Sequence, residues 1–285
     1  MKKTIRVLTS DDFPLYEAMD TSLEDDYIKV IFNYLTTDNN QLYGLFIDNQ
    51  LAAVAGFTIV AERYAMLGRL RTARSFRGKS YASEIMAYVR DEAFQVSGVE
   101  WVGANTEEHN KPTRHILEKI GLTPYITLHT ATTQDLSSLD FGANLWQPVH
   151  SLERKKEWLQ KAFLNDSKVF PYECYYPFPA SEPLFPEEHL RKWSFFENDE
   201  KTRFVITKHD SKGTDYLHTV YPWNDISSQE GLWETISHSY RQLTEEMGEE
   251  TRIWIDLTND ALQTLPADHP FSLLSQWILH GEDKK

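Results

Sequence analysis

The spacing of apolar residues between positions 41 and 104 changes period twice, and this constrains the fold more than any other feature. Residues 41–60 contain two apolar runs separated by Asp48-Asn49-Gln50, which indicates a β-hairpin. Six residues then recur at helical spacing, namely Tyr81, Ala82, Ile85, Met86, Val89 and Ala93. Residues 99–104 return to an apolar strand. A hairpin followed by a helix and a further strand is typical of an α/β domain.

The flanking sequence extends this domain in both directions. Before the hairpin we predict a strand over 4–8 and two helices, one capped by Ser10 and one over about 23–35. After it we predict a strand ending near residue 72, a helix from 110 to 121 and a strand over 125–131. Residues 1–135 are therefore expected to form one domain. The polar segment 132–144 is our candidate linker.

The second half repeats the order of the first. A hairpin over 203–220, a helix from residue 232 to 247 and a strand over 252–257 predict a smaller α/β domain over 136–285. An internal duplication is one hypothesis, with this domain as the degenerate copy. The segment Phe170–Pro186 contains five prolines and many aromatic residues. We favour a packed strap over a mobile lid for it.

Charge narrows the classes of partner. The 285 residues include 29 basic and 43 acidic side chains, a net charge of −14, which argues against nucleic acid or membrane as partners. The single cysteine, Cys174, cannot form an internal disulfide and is expected to be buried, so a cytoplasmic setting is the default. His109 and His115 are six residues apart, which is no metal signature, and no metal site is expected.

One short segment of this acidic chain is basic. Residues 71–83, RTARSFRGKSYAS, contain four basic residues and no acidic one, and they connect a predicted strand to a predicted helix. Free backbone N–H groups at a helix start favour anions, so the segment could hold a pyrophosphate. From this loop alone, a solvated cationic turn that binds no ligand is an equally good interpretation. Neither the nucleoside triphosphatase loop nor the Gly-x-Gly-x-x-Gly dinucleotide motif is present.

Two motifs resemble those of the GNAT superfamily of N-acetyltransferases. Residues 77–82, RGKSYA, resemble its Arg/Gln-x-x-Gly-x-Gly/Ala cofactor signature, and residues 110–122 resemble its second signature, an Asn that opens a helix ending in Lys-x-Gly-Phe. The resemblance covers about the first 135 residues. It implies a mixed, splayed sheet flanked by helices, with acetyl-CoA as co-substrate. The residues implied to bind it are Thr72, Arg77, Gly78, Lys79, Ser80, Tyr81, Ala82 and Asn110.

The sequence departs from this family at the positions that carry the chemistry. The central glycine of the signature is Ser80, and the tyrosine that often protonates the thiolate is Leu117, which cannot donate a proton. Residues 68–71 of the fourth strand contain no carboxylate. The remaining catalytic candidates are Glu62, Glu107, Tyr81 and Tyr125. For the carboxylates, a solvated surface charge is the favoured alternative.

The expected activity is direct attack of an amine on the thioester of acetyl-CoA. The acceptor is expected to be a small-molecule or peptide amine, and the acidic composition favours a cationic one. A homodimer is compatible with these expectations. The alternative from a different class is a non-catalytic acyl-CoA sensor, and a third reading is an interaction protein without cofactor affinity.

Overall fold

The computed structural model describes residues 2–285, which divide into two compact units. The first unit runs to Tyr125 and includes Ile278–Lys285, and the second is Ile126–Trp277. Residue 135, our predicted boundary, lies within the second unit. Among residues 2–285, no helix has the length and apolar run needed to cross a membrane.

The first unit has the order of elements expected from its sequence. Its strands are β1 (Lys3–Val7), β2 (Asn40–Ile47), β3 (Gln50–Val60), β4 (Tyr64–Thr72), β5 (Trp101–Glu107) and the start of β6 (Thr123–Thr133). Its helices are α1 (Phe13–Glu17), α2 (Tyr27–Ile31), α3 (Tyr81–Gln95) and α4 (Lys111–Lys119). Strands β1 to β4 pair in antiparallel order, whereas β4 and β5 are parallel.

The core of this unit lies between α3 and the sheet. The apolar stripe of α3 is buried as the spacing predicted, at Ile85, Met86, Val89 and Ala93. It packs in one cluster with buried residues of the sheet, among them Leu45, Ala53 and Phe57. Because α3 follows β4 directly and returns the chain to β5, this packing fixes where the helix begins relative to the strand ends.

The second unit is built from the remaining elements. Its strands are β7 (Gln147–Pro148), β8 (Val169–Glu173), β9 (Tyr176–Pro179), β10 (Ser194–Glu197), β11 (Phe204–Ser211), β12 (Asp215–Val220), β13 (Arg252–Leu257) and the start of β14 (Ser272–Asp283). Its helices are α5 (Leu152–Leu159), α6 (Glu187–Lys192), α7 (Leu232–Met247) and α8 (Asn259–Thr264). The mixed α/β class is confirmed in both units.

The two units share part of their topology. In the second, β11 and β12 form an antiparallel hairpin, α7 follows, and β13 lies parallel to β12. This repeats the order of β3, β4, α3 and β5. The final strand of each half ends in the other unit: β6 pairs with β13 in the second unit, and residues 278–283 of β14 lie beside β5 in the first.

Three local predictions differ from the structure. The second helix is shorter than predicted because Asp26 accepts the Ile28 N–H (3.3 Å) and starts α2 late. Thr9, not Ser10, precedes the first helical turn, which is a 3₁₀ turn over Ser10–Asp12. The segment 132–144 is packed in the second unit, with Leu136 and Leu139 buried, so it is not a free linker.

Candidate functional site

The parallel strands β4 and β5 pair only over their first residues. Tyr64 pairs with Trp101, Ala65 with Val102 and Met66 with Gly103, after which β4 continues to Thr72 and β5 to Glu107 without pairing to each other. The carboxyl ends of the two strands therefore diverge. We call the opening between residues 67–72 and 104–107 the wedge. A gap at the carboxyl ends of parallel strands is a common place for a ligand.

A bulge in β4 lies beside the wedge. The pairing of β3 with β4 shifts between Val54 and Gly56, and Arg69 adopts a left-handed backbone with φ of +58°. The Arg69 guanidinium donates to the Thr58 hydroxyl at 2.6 Å. This bond ties the bulge to β3.

The loop from Thr72 to α3 presents backbone donors. Gly78 (φ +75°) and Ser80 (φ +62°) are both left-handed, and the Ser80 side chain does not cap the helix. The first-turn N–H groups of α3 therefore remain available, because they have no partner within the helix. A Cβ built on Gly78 would meet no atom within 4 Å, so space is open above the loop.

The basic side chains of this loop have different roles. Arg77 donates to the carbonyl oxygens of Thr21 (2.6 Å) and Thr72 (3.3 Å), so its guanidinium holds the loop in shape. Lys79 is exposed; its Nζ donates to the Ser75 carbonyl at 3.2 Å and lies 5.2 Å from the Phe76 ring centroid. Lys79 is thus an exposed cation of this loop, as is Arg74.

Asn110 begins α4 at the same edge of the sheet. Its Oδ1 accepts the Thr113 N–H at 3.3 Å, which makes it the N-cap of the helix. Its backbone N–H donates to the carbonyl of Glu107, the last residue of β5. The side-chain oxygen therefore has a structural role, and the Nδ2 group remains to face a ligand.

The structure separates the four catalytic candidates. Tyr81 is the first residue of α3 and Glu107 the last of β5, so both lie at the open edge of the wedge. Glu62 lies in the β3–β4 turn, and β4 then runs from Tyr64 to Thr72, about 26 Å at about 3.3 Å per residue. Tyr125 packs edge-on against Trp101 at the start of β5 and donates to Asp283 at 3.0 Å. Glu62 and Tyr125 are therefore remote from the wedge.

Glu62 instead belongs to a different cavity. It lines a space of about 340 Å³ at the closed end of the strands, together with Asp38, Gln41, Phe57 and Gly98.

Polar residues near Glu107 form charged contacts on the surface. His109 Nε2 lies 3.2 Å from the Glu107 carboxylate, and Glu108 lies 3.7 Å from Arg114.

The position of the missing tyrosine is buried. Leu117 is fully inaccessible and packs in the core that includes Met86 and Leu122. No proton donor is therefore supplied from this position of α4.

Sequence reasoning missed a buried charge cluster at the end of β4. Asp26, whose side chain has no exposed surface, accepts two hydrogen bonds from Arg71 (2.9 and 3.1 Å) and one from the Tyr16 hydroxyl (2.6 Å). Burial opposes ionisation of Asp26, but these bonds outweigh it and hold its pKa below the ordinary value. A carboxylate paired in this way is fixed as an anion, so it positions the residue before Thr72 and does not act as a base.

Comparison with known proteins agrees with this geometry. The model of the acetyltransferase (GNAT) family matches residues 3–122. No curated protein matches the chain by sequence. Several solved structures resemble the whole chain in fold, including the following two. A GCN5-related N-acetyltransferase from Sphaerobacter thermophilus has a TM-score of 0.58 at 11% identity, over 99% of this chain and 95% of that one.

The second is a protein from Thermoplasma acidophilum described as a candidate acetyltransferase. It has a TM-score of 0.59 at 14% identity and is covered completely, over 99% of this chain. At these identities the likeness concerns the fold, including that of the second unit. The family match, the diverging strands and the uncapped α3 lead to the same conclusion: residues 3–122 form an acetyltransferase domain of the GNAT family.

Proposed function

We propose that this protein transfers an acetyl group from acetyl-CoA to an amine acceptor. The observation that carries the proposal is the uncapped first turn of α3 at the open edge of the wedge, within a GNAT-family domain. The backbone N–H groups of residues 77–82 would bind the pyrophosphate, with Lys79 adding a full charge. Thr72 and Asn110 would contact the cofactor from the two sides of the wedge.

The reaction needs few groups from the protein. A neutral amine attacks the thioester carbonyl, the C–N bond forms, the C–S bond breaks, and the thiolate takes up a proton while the ammonium loses one. Among our candidates, Glu107 and Tyr81 lie at the open edge. We assign Glu107 the role of accepting the amine proton through water, and Tyr81 that of donating to the departing sulfur. The net charge of −14 favours a cationic amine as acceptor.

Calorimetric titration with acetyl-CoA tests the cofactor site. We expect one molecule bound per chain. Lys79→Glu places a negative charge beside the pyrophosphate and should raise Kd about 10-fold, which corresponds to about 1.4 kcal/mol. Lys119→Glu, the same charge change on the exposed last residue of α4, is the matched control and should leave Kd unchanged. Absence of binding to the wild-type chain would overturn the proposal.

The buried Leu117 favours one alternative, a sensor that binds acetyl-CoA without turnover. A screen of mono- and polyamines for release of free CoA thiol separates the two. An enzyme should release thiol with at least one amine, and Glu107→Gln and Tyr81→Phe should then lower kcat about 10²-fold while Kd for acetyl-CoA is retained. A sensor would bind acetyl-CoA and release no thiol above the blank.

A further inference from the structure

A stripe of polar side chains crosses one face of the sheet in the second unit. Lys208 of β11 pairs with His218 of β12, and His218 pairs with Trp254 of β13. Because side chains alternate along a strand, Asp210 and Asp256 share this face with them. Lys208 and His218 are buried, so each needs a polar partner within the protein.

The turn of the β8–β9 hairpin covers this stripe. Cys174 is fully buried there and packs with Tyr216 and Trp254. Its backbone N–H donates to the Asp210 carboxylate at 2.6 Å. The Cys174 sulfur, a carboxylate oxygen of Asp210 and a ring nitrogen of His218 all lie within 4.8 Å of one another.

His218 is the unsatisfied member of this group. It has no exposed surface, and neither ring nitrogen makes a hydrogen bond. Nε2 lies 3.5 Å from Asp256 Oδ2, and the Trp254 indole N–H donates to that carboxylate at 3.1 Å. A buried imidazole whose ring nitrogens lack well-formed hydrogen bonds is destabilising, whereas a carboxylate beside one ring nitrogen is the usual arrangement for a metal-binding histidine.

We propose that Cys174, Asp210 and His218 bind a Zn²⁺ ion. One sulfur, one nitrogen and one oxygen donor suit this borderline-soft cation, and three protein ligands leave a fourth tetrahedral position for water. The three ligands come from the hairpin turn, β11 and β12. The ion would therefore fasten the β8–β9 hairpin to the sheet of the second unit.

The charges around the group bear on this proposal. Lys208 opposes a cation, but its Nζ is turned toward the Tyr172 and Pro171 carbonyls and lies 4.5 Å from the Trp193 ring centroid. Lys212 Nζ lies 3.9 Å from Asp210 Oδ1 and is paired with Glu173 at 2.8 Å. The two carboxylates Asp210 and Asp256 offset the positive charge of Lys208. Zinc binding forms the Zn–S bond and releases the thiol proton to solvent.

Cobalt substitution gives a test that does not depend on activity. Cys174 is the single cysteine, so a thiolate-to-cobalt charge-transfer band in the full-length chain can come from no other residue. We expect the band to saturate at one Co²⁺ per chain and to disappear when Zn²⁺ is added. Cys174→Ser should abolish it, and the matched control His150→Gln, at an exposed histidine, should retain it.

A second measurement follows the stability of the protein as Zn²⁺ is added. Zn²⁺ at about 100 times its Kd should raise the folded-to-unfolded ratio of the second unit about 100-fold. His218→Gln should weaken Zn²⁺ binding at least about 10-fold, with folding checked by circular dichroism. A wild-type chain that gives no charge-transfer band, or that binds Zn²⁺ no more tightly than folded His218→Gln, would overturn the proposal.

Discussion

Helices α3 and α7 begin in the same way but differ in what lies at their first turns. Each follows a hairpin strand and starts after a left-handed residue, Ser80 with φ of +62° and Gly231 with φ of +79°. The first turn of α3 is open, whereas that of α7 is covered by residues 141–146 of its own unit.

The cover on α7 is held by hydrogen bonds. Glu234 accepts the N–H groups of Phe141 (3.0 Å) and Ala143 (3.1 Å), and the Thr235 hydroxyl accepts that of Trp146 (2.9 Å). A carboxylate in the first turn also satisfies the positive end of the helix dipole. The comparison shows that one strand–turn–helix geometry can be open to an anion or filled by the protein itself, according to a few residues.

The largest effect should come from adding one methyl group at each helix start. A Cβ on Gly231 would overlap the Asn144 carbonyl oxygen, whereas a Cβ on Gly78 meets nothing within 4 Å, and both residues have positive φ. Gly231→Ala should lower the free energy of unfolding by about 4 kcal/mol, and Gly78→Ala by about 1 kcal/mol. Urea denaturation of the two variants checks this, and equal losses would contradict the comparison.

A second contrast concerns an aspartate paired with an arginine in each unit. The Asp26 side chain is inaccessible and that of its partner Arg71 is 19% exposed, whereas the side chains of Asp225 and Arg203 are about 30% exposed. Asp26→Asn leaves Arg71 without its counter-charge and should cost about 3 kcal/mol, while Asp225→Asn should cost about 1 kcal/mol because water screens the pair. Comparable losses in urea denaturation would contradict this difference.

The Asp26–Arg71 pair predicts a pH dependence of stability. Burial opposes ionisation of Asp26, yet the Arg71 and Tyr16 bonds lower its pKa in the folded state. Its contribution is therefore complete above the ordinary Asp pKa of about 4 and is lost as the pH falls through the lower folded pKa. Below about pH 4, the wild-type chain should lose this part of its stability, whereas Asp26→Asn should not. Parallel stability curves for the two chains would refute it.

The smallest effect should be a gain. Ser80 is left-handed without a side-chain cap, and α7 has a glycine at the matching position. Ser80→Gly removes the strain on Cβ and should raise the free energy of unfolding by about 0.5 kcal/mol, since glycine also loses more entropy on folding. Thermal denaturation with and without acetyl-CoA measures both stability and binding, and a destabilised variant would show that Ser80 is not strained.

Local patterns predicted much of this fold. Residues close together in sequence determine the apolar stripe of α3, the hairpins and the turn glycines. Hydrophobic periodicity and turn-forming residues were therefore enough to predict them. The position of the basic loop between a strand and a helix was also predicted correctly, because it depends on consecutive residues. The predicted resemblance to the GNAT family is confirmed for residues 3–122.

Contacts distant in sequence were not predictable in this way. Arg71 and Asp26 are 45 residues apart in sequence, so no local pattern predicts their pairing. Cys174, Asp210 and His218 come from a hairpin turn and two strands, so no local spacing signals the group. The covered start of α7 likewise depends on a segment about 90 residues earlier, which its sequence marked only as polar.

The last strand of each half, β6 or β14, ends in the other unit, and this has a consequence for synthesis of the chain. Residues 278–285 belong to the first unit, so that unit cannot complete its sheet beside β5 until these residues have left the ribosome. Until then β5 presents an unpaired edge, which is a risk for aggregation. For the same reason, a fragment ending at residue 135 would lack a strand of its own unit.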